Sequence, residues 1–236
     1  MPPRKSDLDL FFEDPAKPPS RAGRSAPHPS GSAAFCRQFG TLYKLRRESQ
    51  TCFKAGKSSA PWAGAMCVLT GIDLLGCFYD GSNQKGGVKS RFLKFVDECM
   101  PSTCKIHKDL VFSLRNCLIH NFTARHYVNK FRLILDETPV VFTPDGTDTY
   151  LVNLNRLRLD FEQSVRTYRG KITTGSNEEQ HFNTMFPAIG YMMIYDRAPQ
   201  TLSGPIVNAG RYYIGESMMS AGPLSINTTL TNRASS

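Results

Sequence analysis

The chain has 236 residues, of which 40% are hydrophobic and 11% aromatic, so it can form one packed core and is not a wholly disordered protein. Its net charge of +9 favours an anionic partner such as a nucleic acid or a membrane surface. Seven cysteines without regular spacing predict reduced thiols and a cytoplasmic protein. The acids and prolines of the first 20 residues exclude an ordinary signal peptide.

The two ends of the chain differ in composition from its middle. Residues 1–33 hold seven of the 15 prolines, and such a segment cannot bury enough apolar surface to fold, so it is predicted to be a disordered arm. Residues 191–236 are rich in Gly, Ser, Thr and Asn and are predicted to be a low-complexity tail. The globular domain is therefore expected over residues 34–190.

The first half of this domain predicts helices. A basic helix is expected over residues 34–56, followed by a helix over 60–79 that is apolar on all sides. The latter is long enough to cross a membrane, but it contains Asp73 and three glycines, so a buried core helix and no membrane association are predicted. Two more helices are predicted over 88–100 and 105–122, because their apolar residues recur every three or four positions.

The pattern changes after residue 126. Apolar and polar residues alternate over 131–135, and two β-rich runs flank Pro144, Asp145 and Gly146, which predicts a small β-hairpin in an insertion of about 127–153. A helical period returns over 154–170, and a short helix is expected near 178–185. The predicted fold class is mainly α (α+β), a helical bundle with a β-hairpin.

The helix over 105–122 has two apolar faces. One ordinary core-facing stripe is predicted from Ile106, Leu114, Cys117 and Leu118. Phe112 and Ile119 form a second strip on the opposite side of the helix. Because a small bundle covers only one face, the second strip predicts a homodimer interface.

Three polar residues of the run "SLRNCLIHNF" border the second strip, namely Arg115, Asn116 and His120. The segment "RNCLIH" matches the R-x(4–6)-H motif of the HEPN superfamily, in which a polar residue such as Asn commonly follows the arginine. The wider run from "GIDLLGCFYDGSNQKGG" to "SLRNCLIHNF" is similar to a group of uncharacterised bacterial HEPN-like proteins. The resemblance covers about residues 35–135.

The resemblance implies a helical bundle that dimerises through the motif helix and, in many members, a metal-independent endoribonuclease with a toxin or defence role and an antitoxin partner. It implies His120 as acid or base, Arg115 as a phosphate clamp and Asn116 in support, with no cofactor and no metal ligand. Phe122 stands where members regulated by a nucleotidyltransferase carry a tyrosine, so that regulation is not expected here.

Two basic clusters, over residues 37–57 and 85–108, are expected to bind the RNA backbone in a salt-sensitive way that is largely independent of sequence. The candidate RNA-binding residues are Arg46, Arg47, Lys89, Lys94, Arg125 and His126.

Two alternatives remain open. The same groove could bind RNA or a nucleotide without catalysis, since members of the superfamily are often catalytically silent. Cys104 and His107, with Cys117 and His120, could instead supply four zinc ligands to a structural or interaction protein. The glycine-rich "GSNQKGGVKS" lacks the register of a phosphate-binding loop that follows a strand, although its amides could contact an RNA phosphate.

Overall fold

The structure, a computed structural model, describes residues 5–17, 36–54, 60–84, 86–120, 123, 125–126 and 129–195. Within these residues it has eight helices: α1 (Lys5–Phe11), α2 (Thr41–Phe53), α3 (Pro61–Asp80), α4 (Val88–Cys99), α5 (Ser102–Lys105), α6 (Lys108–His120), α7 (Leu154–Lys171) and α8 (Asn177–Ile189). The predicted class, mainly α with a few small strands, is confirmed.

Helix α3 is the centre of the bundle. It packs against α2, α4, α6, α7 and α8. A Cβ atom at Gly76 would lie 3.2 Å from the carbonyl oxygen of Arg91, so this glycine lets α3 and α4 approach closely. Within the described part of the chain α3 is the one helix with the length and hydropathy of a membrane span, but 56% of its most apolar window is buried by its neighbours. Core helices of soluble proteins have the same length and composition, so these two properties do not make α3 a membrane span.

The strands form two small sheets. Strands β2 (Arg125–His126), β3 (Asn129–Ile134), β4 (Phe142–Pro144) and β5 (Thr149–Asn153) form a sheet in the order β2-β3-β5-β4. Strands β4 and β5 are the predicted hairpin, in which Phe142 lies opposite Val152 and both are buried. The sequence pattern did not indicate that β3 pairs in parallel with β5.

The prediction of a disordered arm over residues 1–33 is wrong for residues 5–17. Helix α1 forms there, and Leu10, Phe11 and Phe12 are buried in the core. The ring of Phe11 lies 4.4 Å from that of Phe78 and 5.5 Å from that of Phe182, centroid to centroid. The prediction used the proline-rich composition of the whole segment and therefore overlooked the short apolar run of Leu10, Phe11 and Phe12. Residues 1–4 and 18–35 lie outside the described part of the chain.

The structure also differs from the prediction at both ends of the domain expected over residues 34–190. The helix expected over 34–56 is a strand, β1 (Cys36–Gly40), followed directly by α2. Strand β1 pairs in antiparallel fashion with β6 (Tyr191–Tyr195), so the fold continues past residue 190 into the expected tail. A pairing of segments that are 151 to 159 positions apart leaves no local signal in the sequence. The expected tail over 196–236 lies outside the described residues.

Candidate functional site

The core-facing side of α6 is largely as predicted. Val111, Leu114, Cys117 and Leu118 are fully buried. Ile106 was predicted to join them, but it is 75% exposed because the helix begins only at Lys108 and a turn separates it from α5. The stripe is therefore correct within the helix and wrong before its start.

The three predicted catalytic residues lie together at the C-terminal half of α6. Arg115 Nη1 donates to Asn116 Oδ1 at 2.9 Å and also contacts His120 Nε2. A guanidinium can only donate hydrogen bonds, so Nε2 must accept, and an accepting Nε2 places the ring proton on Nδ1. While this contact is made, the Nε2 lone pair of His120 is directed at Arg115.

Arg115 is itself held from the neighbouring helix α3. Its Nε donates to Asp73 Oδ2 at 2.6 Å, and the Arg115 side chain is 2% exposed. Burial raises the pKa of Asp73, while the charge and the hydrogen bond of Arg115 oppose that rise. Asp73, Arg115, Asn116 and His120 are called the motif cluster below.

Asp73 is the residue of this site that sequence reasoning missed. It was noted only as a charge that argues against a membrane helix. A lone carboxylate in an otherwise apolar core helix needs a buried cation or donor as its partner, and this signal could have led to Arg115.

The motif cluster leaves one strong donor unused. Arg115 Nη2 is buried and has no hydrogen-bond acceptor among the described residues. A buried N–H group without an acceptor costs about 1–3 kcal/mol, and more when the group is charged. The same holds for Nε of Arg91, a residue of α4 whose positive charge also acts on Asp73.

The second apolar strip of α6 is partly covered inside the chain. Phe112 and Ile119 are both partly buried against the core. The ring of Phe92, from α4, meets that of Phe112 edge to face at 5.4 Å between centroids. Helix α4 therefore covers part of the second apolar strip, which was predicted to be covered by another copy of the chain. The dimer interface at Phe112 and Ile119 stays a prediction.

Arg46 has to be removed from the RNA-binding set. Its side chain is 9% exposed and forms a two-pronged ion pair with Glu162, with Nη2 at 2.5 Å from Oε2. Its Nη1 donates to the carbonyl oxygen of Glu13 at 2.9 Å. These contacts use the guanidinium inside the fold, because it bridges Glu162 of α7 and the backbone at Glu13, so it is not presented to a ligand.

The remaining candidates are distributed over different parts of the surface. Arg47 is exposed and donates to the Tyr43 hydroxyl at 2.6 Å. Lys89 is exposed, and its Nζ lies 5.8 Å from the centre of the Phe112 ring beside the motif. Lys94 is exposed but pairs with Asp80 at 3.1 Å. Of Arg47, Lys89 and Lys94, it is Lys89 that lies next to the motif cluster, because it contacts Phe112.

Arg125 and His126 form β2, which pairs with β3 and lies against α6. Strand β2 begins five positions after His120, the last residue of α6. Their side chains, and Phe122, lie outside the described part of the structure, so their roles stay predictions.

The described structure gives no support to the zinc-binding alternative. The described residues contain no group of three or more His, Cys, Asp or Glu side chains arranged to hold a metal ion. Burial raises the pKa of Cys117 to about 11, so its thiol is protonated at neutral pH. Cys104 lies 3.4 Å from the Asp160 carboxylate, and His107 lies against the Phe142 ring. These contacts give each residue a structural role.

Comparison of the chain with protein-family models, with curated proteins and with solved structures finds no match. Function is therefore inferred from the side chains and their arrangement.

Proposed function

We propose that the protein is a metal-independent endoribonuclease of HEPN type that acts as a cytoplasmic homodimer, with a toxin or defence role and an antitoxin as a partner. The observation that carries this proposal is the contact of His120 Nε2 with Arg115 Nη1, which ties the imidazole to the guanidinium at the border of the Phe112 and Ile119 strip. Asn116 is held in the same cluster.

The chemistry needs two proton transfers. A proton leaves the RNA 2′-hydroxyl as its oxygen bonds to the adjacent phosphorus, and a proton reaches the 5′-oxygen as its bond to phosphorus breaks. His120 can take the first proton once a phosphoryl oxygen replaces it on Arg115 Nη1, and general acid–base catalysis of this kind contributes about 10²–10⁴-fold in rate. Across a two-fold axis, one copy of His120 would act as the neutral base, and the other copy, protonated and released from Arg115, would deliver the proton to the 5′-oxygen.

Arg115 has a different role in this proposal from the direct phosphate clamp that the resemblance implies. Three of its contacts are made to Asp73, Asn116 and His120, so it orients the imidazole. A phosphoryl oxygen could reach it by replacing His120 on Nη1 or by approaching Nη2. Charge stabilisation by Arg115 then begins only when RNA is bound.

The alternative is a module that binds RNA or a nucleotide without cutting it. The near-complete burial of Arg115 favours this reading, because an arginine that serves only the fold is also buried and paired. Both readings place the anion on the same face of α6, beside Lys89.

The test is cleavage of a mixed RNA substrate by wild-type protein and by His120→Ala, with and without EDTA. We expect cleavage by the wild type, no effect of EDTA, and a loss of about 10²-fold or more in the variant, with RNA affinity retained. His107→Ala is the matched control, since His107 packs on Phe142 away from the motif. If the wild type binds RNA and leaves it intact, the non-catalytic alternative replaces the enzyme.

A further inference from the structure

We propose that the N-terminus of α4, with Arg91 and Lys89, forms a second phosphate-binding site beside the motif cluster. It extends the proposed function, because the phosphate of an RNA strand is one source of its ligand. The other source is a free nucleotide with the same phosphate chemistry. Binding at this site requires no cleavage, so the site can be tested by itself.

The first turn of α4 presents donors without a side-chain cap. The N-cap is Gly87, which has a φ of 85° that favours glycine and no side chain to accept from the helix. The backbone N–H groups of Val88, Lys89 and Ser90 therefore point out of the helix end, where the helix dipole also favours an anion. Such an end binds phosphate when further donors join it.

Arg91 is the further donor. Its side chain folds back over the start of its own helix, since its Nη1 donates to the carbonyl oxygen of Gly86 at 2.8 Å. Arg91 is 7% exposed, and its Nε has no acceptor among the described residues. The guanidinium also interacts with the Cys77 thiol of α3, and the N–H on Nε is left without an acceptor among the described residues. An unsatisfied N–H on a nearly buried guanidinium favours an oxygen ligand.

The two glycines leave room for that ligand. Among the described residues, a Cβ atom at Gly86 would meet no atom within 4 Å, and one at Gly87 would meet only Arg91 Nη1, at 3.6 Å. The side of the chain on which these Cβ atoms would lie is therefore open within the described part of the structure. An oxyanion approaching there can meet the helix amides and the guanidinium together.

The buried charges nearby also favour an anion. Asp73 accepts a hydrogen bond from Arg115, and the charge of Arg91 also acts on its carboxyl, so Asp73 is shared between two arginines. An uncompensated buried cation is unfavourable, and a bound anion relieves it. Among the charges that face the site, Lys89 has only a weak exposed pair with Asp109, at 3.8 Å, which competes little.

The proposed site is continuous with the motif cluster. The Phe112 ring centre lies 5.8 Å from Lys89 Nζ and 5.8 Å from Arg115 Cζ, so this ring separates the two cationic groups. One strand could therefore place one phosphate at the α4 N-terminus and the next on the side of His120.

The test uses Ser90→Asp in the full chain. The new carboxylate stands in the first turn of α4, where it interacts favourably with the helix dipole and occupies the amides that would hold phosphate. We expect an unchanged or higher Tm without ligand, and loss of the Tm increase that inorganic phosphate gives the wild type. The control is Gln163→Glu, an exposed position on α7 with the same change of charge, which should keep the phosphate response.

A second variant, Arg91→Lys, keeps the charge but loses the planar donor fork, and we expect it to weaken phosphate binding by about tenfold. Phosphate that stabilises Ser90→Asp and Arg91→Lys as well as the wild type, or that does not stabilise the wild type, overturns the site. RNA cleavage without a phosphate response refutes this inference alone. A response that Ser90→Asp removes supports it even if no RNA is cut.

The source of the phosphate is tested with a short RNA and with adenosine monophosphate. If Ser90→Asp weakens the RNA more than the mononucleotide, the site serves a strand. If it weakens both equally, the ligand is a single phosphate group.

Discussion

Two buried arginines of this molecule, Arg46 and Arg115, differ in the hydrogen-bond partners of their guanidinium groups. Arg46 in α2 and Arg115 in α6 are both nearly inaccessible and both bind a carboxylate of another helix, Glu162 and Asp73. Arg46 uses Nε, Nη1 and Nη2 on oxygen acceptors of the fold. Arg115 instead shares Nη1 with a histidine and leaves Nη2 without an acceptor among the described residues.

The difference teaches that burial and pairing alone do not identify a structural ion pair. Each of the three nitrogens of Arg46 has an oxygen acceptor within the fold, so the protein itself supplies the partners of this guanidinium. Arg115 retains a donor and touches a group that can exchange protons. A buried donor without an acceptor, such as Arg115 Nη2, lowers the stability of the fold. Such a cost is typical of a site where a ligand binds or a reaction takes place.

The largest effect should come from breaking the pair of Arg46 and Glu162. Arg46→Met leaves Glu162 buried and unpaired, so the free energy of unfolding should fall by about 3–5 kcal/mol, measured by urea denaturation. The double variant Arg46→Met with Glu162→Met should recover most of this loss. RNA affinity of the double variant should equal that of the wild type, and a clear decrease would return Arg46 to the RNA-binding set.

Arg115→Lys tests the pair of Arg115 and Asp73. The lysine ammonium can still reach Asp73, so stability should change little, but the fork that holds Asn116 and His120 is lost. Under the proposed function we expect RNA cleavage to fall by about 10²-fold, measured as the initial rate. Arg46→Lys is the matched control and should cleave normally. Equal rates for the two lysine variants would contradict a special role for Arg115.

Asp73→Asn should have a smaller effect on the same site. The amide keeps one oxygen acceptor for Arg115 but removes the charge that fixes it. Because Asp73 would position Arg115 without touching RNA, kcat should fall by about tenfold while KM stays near its wild-type value. Single-turnover kinetics separates the two parameters. An increase in KM at constant kcat would assign Asp73 to RNA binding.

The smallest effect distinguishes two exposed lysines of α4. Lys89 lies beside Phe112, whereas Lys94 pairs with Asp80 by Tyr79. If only Lys89 contacts a phosphate, Lys89→Ala should lower the slope of log affinity against log salt by about 0.7 for single-stranded RNA, and Lys94→Ala should leave it unchanged. Fluorescence anisotropy at several salt concentrations measures both slopes. The reverse ranking would place RNA on the Tyr79 side.

Periodicity predicted those features that depend on neighbours along the chain. Helices α4 and α7 were expected over 88–100 and 154–170 and occur as Val88–Cys99 and Leu154–Lys171. The burial of Leu114, Cys117 and Leu118 followed from the same 3.6-residue repeat. The hairpin followed from a turn signal between two β-rich runs.

Contacts between distant residues could not be predicted in this way. Arg46 and Glu162 are 116 positions apart, and Arg115 and Asp73 are 42 apart. Whether a basic residue faces solvent or a carboxylate depends on which helices meet, and a single sequence does not specify that. The three residues of the motif were found because they share one helix, whereas Asp73 comes from another.

The burial of α1 has a consequence for how the protein can be divided. Phe11 and Phe12 fill a site lined by Phe78, Phe182 and Tyr168, and the chain between residues 17 and 36 keeps α1 attached to it. Docking of α1 is therefore an intramolecular association with an effective concentration in the millimolar range. A cut in that connection would turn α1 into a separable ligand of the core, and a peptide of residues 5–17 would compete for the vacated aromatic site.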